Sequence, residues 1–288
     1  MFLTGDLGYS ALEPLREALG PRFINAGVAE QNMVSVAAGL ARSGMRPWVY
    51  SIAPFVYARP YEQIRNDVCL HRLPVVLVGN GGGYGYGVMG ASHHALEDYG
   101  ALLCLPHLRV YVPAFDQDVA VQVESLFSVA HPAYLRLGAS EEPRGAVIPP
   151  YSPWRRLQEG PGWLVLVTGP LVGGIWSRVG ALAGDLRPTV WVLTELPCNP
   201  IPAEFLGDVR KARGLLLVEE HVAQGGVAQN LALALLAAGN LPAQFAARSA
   251  QGYLTGRYGS QAFHRRECGL DAASIVDFLT FEDARDAA

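Results

Sequence analysis

Residues 23–41, FINAGVAEQNMVSVAAGLA, place a glycine turn and a single carboxylate ahead of a long, nearly uncharged run. From Gln31 onward the apolar side chains predict a helix that begins near Glu30, ends near Gly44 and buries most of its surface. A carboxylate in the first turn of a helix is favoured by the helix dipole, so Glu30 has an ordinary structural interpretation. A functional interpretation of Glu30 needs support from other residues.

The composition limits the classes of function. The chain has 288 residues, of which 50% are hydrophobic and 17% charged, and its net charge is −4. This length predicts two domains, and the scattered arginines favour a small-molecule substrate over nucleic acid or a membrane. No apolar run approaches the roughly 18 residues of a membrane-spanning helix, and no secretory signal is visible. The four cysteines lack metal-ligand spacing, so we expect buried thiols, a cytoplasmic location and no metal site in this chain.

Strand-length apolar segments alternate with helical patterns, which predicts an α/β fold with mostly parallel sheets. The predicted strands are 23–26, 46–51, 73–78, 108–113, 133–137, 163–168, 189–193, 214–219 and 243–247. Proline, glycine and charged residues gather in 139–161, which is typical of a linker. We therefore expect a first domain at 1–140, a linker at 141–161 and a second domain at 162–288.

The stretch around Glu30 resembles a segment of transketolases, R-F-[IV]-x-x-G-[IV]-A-E-Q-x-M-x-x-x-A-A-G-[LM]-A. The resemblance implies two three-layer α/β/α domains, a pyrimidine-binding domain and a transketolase C-terminal domain. It also implies that thiamine diphosphate is the cofactor and that Glu30 shares a proton with N1′ of its aminopyrimidine. The apolar surroundings of Glu30 suit a carboxyl group that holds a proton near neutral pH.

Residues 53–68, APFVYARPYEQIRNDV, resemble the family element F-x-x-F-x-x-R-x-x-[DE]-Q-[IV]-R, in which an aromatic ring stacks on the aminopyrimidine. Counting back from Arg59 places this ring on Val56, which has no flat face, so Phe55 is the first candidate and Tyr57 the second. The family's G/S-x-D-L element makes Asp6 a further candidate near the cofactor.

The sequence SHHALED at 92–98 resembles the transketolase motif [ST]-H-[QH]-x-x-E/D, which implies that His93, with His94 beside it, lines the substrate channel. Relatives carry an aspartate where Met89 stands and a phosphate-contacting histidine where Gly81 stands, so a donor other than a ketose phosphate is conceivable. Arg136 matches an arginine at the end of a strand facing substrate, and a substrate anion is one possible partner for its charge.

A third motif, VEEHVAQGGVAQNLA at 218–232, resembles the C-terminal domain of the family, where the paired glycines allow close packing at a helix start. His221 is interpreted as structural. The chain contains no GDG motif, through which the family holds the diphosphate by way of Mg²⁺. The resemblance therefore implies a separate diphosphate-binding subunit that supplies Mg²⁺, with this chain as a homodimer within an α2β2 heterotetramer.

The predicted function is that of the small subunit of a split transketolase, which transfers a two-carbon ketol unit from a ketose to an aldehyde. Glu30 would activate the cofactor and His93 would shuttle protons. Two alternatives stay open. One is the β subunit of a 2-oxo acid dehydrogenase or an acetyl transferase that uses pyruvate, and the other is a non-catalytic pseudosubunit.

Overall fold

The computed structural model describes residues 1–143 and 145–286, which form two sheets flanked by helices. The first sheet contains seven strands in the order β10-β5-β6-β4-β3-β1-β2. Its strands are β1 (Phe2–Thr4), β2 (Phe23–Asn25), β3 (Trp48–Ile52), β4 (Val76–Asn80), β5 (Arg109–Tyr111), β6 (Ala133–Leu137) and β10 (Glu195–Leu196). All neighbours are parallel except β10, which pairs antiparallel with β5. The carboxyl ends of β1, β3, β4 and β6 therefore lie along one edge.

The α-helices that accompany this sheet are α1 (Glu13–Leu19), α2 (Glu30–Arg42), α3 (Ala53–Tyr57), α4 (Tyr61–Gln63), α5 (Asp98–Leu102) and α6 (Asp116–Leu126). A π-helical turn at Ile64–Cys69 continues α4. Helix α2 buries Met33, Val34, Ala37, Ala38 and Ala41 against the sheet, as its apolar pattern predicts. This packing fixes the start of α2, and with it Glu30, at the carboxyl edge of the strands.

The second sheet has the order β12-β11-β8-β9-β7. Its strands are β7 (Trp154–Gln158), β8 (Leu164–Thr168), β9 (Thr189–Leu193), β11 (Leu215–Val222) and β12 (Phe245–Ala250). It is parallel except for the edge strand β7. The accompanying helices are α7 (Val172–Val179), α8 (Ala203–Lys211), α9 (Val227–Ala237), α10 (Gln261–Glu267) and α11 (Ala272–Asp286). The predicted α/β class with two mostly parallel sheets is confirmed.

Several local predictions need correction. The proposed linker contains β7, which continues the second sheet, and its Arg144 lies outside the described residues, as do the last two residues of the second half. The first residue of α6 is Asp116, and the helix is capped by the Asp118 carboxylate, which accepts from the backbone N–H of Ala114. Cys104 is exposed, whereas the other three cysteines are buried.

No helix within 1–143 and 145–286 is long and apolar enough to cross a membrane.

Candidate active site

Glu30 is the first residue of α2, and its side chain is only 3% exposed. Arg59 Nη1 donates to both carboxylate oxygens at 3.0 Å, and the Ser51 hydroxyl donates to Oε1 at 3.3 Å. Ser51 lies in β3, so the carboxylate sits where the start of α2 meets the end of a central strand. A buried carboxylate held by a partly exposed cation and a hydroxyl can exchange a proton with a group that enters beside it.

Phe55 is half-buried and lies next to this carboxylate through Arg59. The guanidinium carbon of Arg59 is 3.7 Å from the centroid of the Phe55 ring. Val56 is fully buried in the core, and the Tyr57 hydroxyl donates to Glu97 at 3.3 Å. Of the two aromatic candidates, Phe55 is therefore the one whose ring adjoins the arginine on Glu30.

His93 lies on the other side of Phe55. The two rings meet edge to face with centroids 5.2 Å apart, and Tyr86 is 5.8 Å from His93. Ser92 Oγ lies 2.9 Å from His93 Nδ1, which can hold the ring by a hydrogen bond and leaves Nε2 to exchange a proton. Glu30, Phe55, Arg59 and His93 thus form one group, although they come from three separate segments.

The end of β1 borders the same carboxylate. A Cβ added at Gly5 would lie 3.5 Å from Glu30 Oε1, so the backbone approaches the site closely there. The exposed Asp6 side chain turns away from Glu30 and accepts hydrogen bonds from Asn25 and Tyr9, which lower the pKa of Asp6. Asp6 therefore acts as the turn residue of this loop, and the predicted contact with the cofactor region passes to Gly5.

His94 does not line the opening beside His93. It is buried, its Nε2–H donates to the Gly87 carbonyl at 2.8 Å, and its Nδ1 accepts from the Tyr253 hydroxyl at 2.8 Å. Burial lowers the pKa of His94, which keeps the ring neutral. The predicted substrate contact at His94 is corrected to an internal role, because both ring nitrogens are already bonded.

Arg136 is also internal. Its Nε donates to Asp98 at 2.7 Å, and its Nη2 donates to the carbonyls of Ala95 and Glu220 at 3.0 Å. Arg136 and Asp98 are both buried, so the charge at the end of β6 is neutralised within the protein. The prediction that a substrate anion pairs with Arg136 is corrected accordingly.

The glycine-rich loop after β4 is built for close packing. A Cβ at Gly82 would come within 2.6 Å of the Arg136 guanidinium, and one at Gly83 within 2.7 Å of the Glu220 side chain. Met89, in a 3₁₀ turn farther along this loop, is 55% exposed. The loop thus clears room for Arg136 and Glu220 and presents Met89 at the surface.

The third motif supports the prediction of close packing at the start of α9. A Cβ at Gly226 would lie 2.6 Å from a Glu219 oxygen, and this carboxylate accepts from the backbone N–H of Val227 and Ala228. His221 is fully buried, and its Nε2 accepts from the Gly100 N–H at 3.1 Å. Burial lowers the pKa of His221, as it does for His264, and the structural interpretation of His221 fits its contacts.

Sequence reasoning missed the residues that connect the two halves. Glu220 accepts from the Tyr84 N–H at 2.9 Å and from Arg265 Nη2 at 2.7 Å, so it links the glycine-rich loop to α10. Asp98 and Ser51 were missed as well. Their one signal in the sequence is a polar residue inside an apolar segment, which does not identify a partner.

The group fits an aminopyrimidine in its chemistry. A flat aromatic face, a buried carboxylate and a backbone without a side chain at Gly5 lie together. A metal ion lacks a comparable site, because no cluster of three or more His, Cys, Asp or Glu side chains able to hold an ion occurs in the described part of the chain.

Comparisons with known proteins agree with this arrangement. Residues 2–143 match the pyrimidine-binding domain family of transketolases. The chain is similar to one of the named subunits of the apulose-4-phosphate transketolase of Actinobacillus succinogenes, at 28% identity over 92% of this chain and 86% of that protein. It is also similar to the 1-deoxy-D-xylulose-5-phosphate synthase of Myxococcus xanthus, at 29% identity over 92% of this chain but only 45% of that protein.

Two solved structures complete the comparison. A split-gene transketolase, solved as an inactive β4 tetramer, superposes with a TM-score of 0.81 at 28% identity, over 97% of this chain and 90% of that chain. The transketolase of Leishmania mexicana has a TM-score of 0.76 at 19% identity and covers 99% of this chain with 42% of its own length. The second likeness bears on the fold alone.

Proposed function

The chain belongs to the transketolase family, and we propose that it is the small, pyrimidine-binding subunit of a two-component transketolase. The reaction would move a two-carbon ketol unit from a ketose donor to an aldehyde acceptor. The observation that carries this proposal is the buried carboxylate of Glu30 beside the Phe55 ring and His93.

Each residue of the group has a role in this proposal. Bound thiamine diphosphate supplies the nucleophilic carbon that the reaction needs. Glu30 holds the proton shared with N1′ of the aminopyrimidine, and its burial excludes water from that proton. Phe55 offers the flat face on which the ring rests, and His93 moves protons at the oxygens of the substrate through its free nitrogen.

The proposal includes a partner subunit. The chain has no GDG motif, and the Actinobacillus succinogenes relative is itself named as one subunit of its transketolase. We propose that a separate chain binds the diphosphate through Mg²⁺ and that two copies of each chain form the active α2β2 complex. A cytoplasmic location is proposed from the four free cysteines, which are typical of a reducing compartment.

One experiment tests the partner and the cofactor together. The chain is co-expressed with a candidate diphosphate-binding subunit, and thiamine diphosphate with Mg²⁺ is titrated by calorimetry into the pair and into the chain alone. We expect tight binding by the pair only. Tight binding by this chain alone would contradict the proposal, because the missing diphosphate module would then lie within it.

A second donor class is favoured by one observation. Met89 is exposed in the loop that carries His93, where sugar-specific relatives were expected to place a carboxylate for a substrate hydroxyl. A donor without that hydroxyl, such as pyruvate, would lose nothing at this position. Comparing ketoses with pyruvate in the reconstituted pair decides between ketol transfer and acetyl transfer, and inactivity with both donors would favour a pseudosubunit.

A further inference from the structure

Arg59 occupies both surfaces of the proposed cofactor site at once. Its Nη1 lies 3.0 Å from each carboxylate oxygen of Glu30, and its guanidinium carbon is 3.7 Å from the centroid of the Phe55 ring. The side chain of Arg59 is 43% exposed, whereas that of Glu30 is 3% exposed. The guanidinium therefore closes the buried carboxylate from the solvent side.

A guanidinium group and an aminopyrimidine make the same kinds of contact. Both are flat, both present N–H groups at an edge that a carboxylate can accept from, and both stack on an aromatic face. The Glu30 oxygens and the Phe55 face cannot serve two such groups simultaneously.

We propose that Arg59 is a placeholder for the aminopyrimidine, which fills the site before the cofactor binds and leaves it when the cofactor enters. This inference rests on the proposed function. Arg59 is then a positioning residue that keeps Glu30 and Phe55 in their binding geometry, and its displacement weakens the apparent affinity for the cofactor.

The exposure of Arg59 sets the size of the effect. A half-exposed ion pair and a stacked cation are each modest interactions, and together they correspond to a factor of about 3 to 30 in affinity. The backbone at Arg59 lies between the short helices α3 and α4, so the side chain can turn to solvent without disturbing either helix.

The test compares cofactor binding by two-subunit complexes. Calorimetric titration with thiamine diphosphate and Mg²⁺ is carried out on the complex with the natural chain and with Arg59→Ala. We expect the variant complex to bind about 3 to 30 times more tightly. Arg65→Ala is the matched control, because Arg65 is an exposed arginine of the same segment, and its affinity should stay within about twofold of the natural complex.

A competition experiment separates a placeholder from a merely structural arginine. Ethylguanidinium at millimolar concentration should restore the missing group in the Arg59→Ala complex and weaken cofactor binding competitively, with no such effect on the natural complex. If Arg59→Ala prevents folding, Arg59→Gln removes the charge and the stacking while keeping an N–H donor for Glu30.

The outcomes are distinct. Unchanged or weaker binding by the variant complexes, with normal binding by the natural complex, would overturn the placeholder role and leave the proposed function intact. Tighter binding that ethylguanidinium does not reverse would also overturn it. No binding by any complex would overturn the proposed function and this inference together.

Discussion

The buried pair of Arg136 and Asp98 allows a sharp prediction, because the structure and the sequence pattern assign Arg136 different roles. We consider Arg136→Met, which keeps much of the side-chain volume and removes the charge. The substitution deletes the 2.7 Å bond to Asp98 and the two 3.0 Å bonds to the carbonyls of Ala95 and Glu220. Asp98 then keeps the Tyr134 hydroxyl at 2.9 Å as a neutral donor.

The expected loss follows from the uncompensated carboxylate. Removing one partner of a buried pair costs about 3–5 kcal/mol in the free energy of unfolding, because the remaining charge stays buried. For a protein of this size, such a loss lowers the melting temperature by about 6–20 °C. The double variant Arg136→Met with Asp98→Asn should recover part of this loss, since no charge is then left unpaired.

The measurement is urea unfolding of the four proteins in this cycle, followed by circular dichroism, together with thermal melts. Arg178→Met, which removes an arginine from the last turn of α7, serves as the control. A loss below about 1 kcal/mol for Arg136→Met, together with a raised KM for the donor in the reconstituted pair, would refute the internal role. Arg136 would then contact substrate, as its position at a strand end first indicated.

Three further predictions address the site, the buried histidines and the glycines. Glu30→Gln should lower the activity of the reconstituted pair by about 10²–10⁴-fold, whereas Glu62→Gln on exposed α4 should leave it unchanged; equal activity of both would contradict the role of Glu30. The pKa values of the three buried histidines are lowered by burial, so only the unfolded chain takes up their protons as the pH falls below about 6.5. The free energy of unfolding should therefore fall by up to about 1.4 kcal/mol per pH unit for each histidine, and His264→Gln should make the slope measured by urea unfolding shallower. Gly226→Ala should cost about 1–3 kcal/mol, while Gly39→Ala, in α2 with open space around it, should gain about 0.5–1 kcal/mol; similar melting temperatures for the two would refute the packing argument.

The sequence predicted the elements whose pattern is local. Strand β6 was expected at 133–137 and is observed at Ala133–Leu137, because a parallel strand buried on both faces is a continuous apolar run. Helix α2 was located from its apolar face and from Gly27, and the structure gives it the predicted start at Glu30. The close grouping of Glu30, Phe55 and His93 could be anticipated only through the family motifs.

Strand β7 was missed because its sequence, WRRLQ, does not look like a buried strand. It lies at the edge of the second sheet and pairs antiparallel with β9. Arg155 in this strand is buried because both its terminal nitrogens donate to the carboxylate of Asp118. That carboxylate comes from the first half of the chain, and no local pattern reports a partner 37 residues away.

Arg136 was misassigned for the same reason. An arginine at the end of an apolar strand needs a counter-charge, and sequence alone offers a substrate or any acidic residue. The structure supplies Asp98, which belongs to α5 and shares a buried cluster with Tyr134. His94 and His93 also look alike as neighbours in sequence, yet the turn of the backbone sends one ring inward and leaves the other beside Phe55.

Strand β10 has a consequence for dividing this protein into pieces. It belongs to the second half of the chain but completes the first sheet by covering β5, with Leu196 opposite Val110. A fragment that stops after the first half would leave β5 as a bare edge, which is a template for pairing with other chains. Such a fragment should therefore aggregate when expressed alone, and a chimera that exchanges second halves should work best when the donor supplies an equivalent of β10.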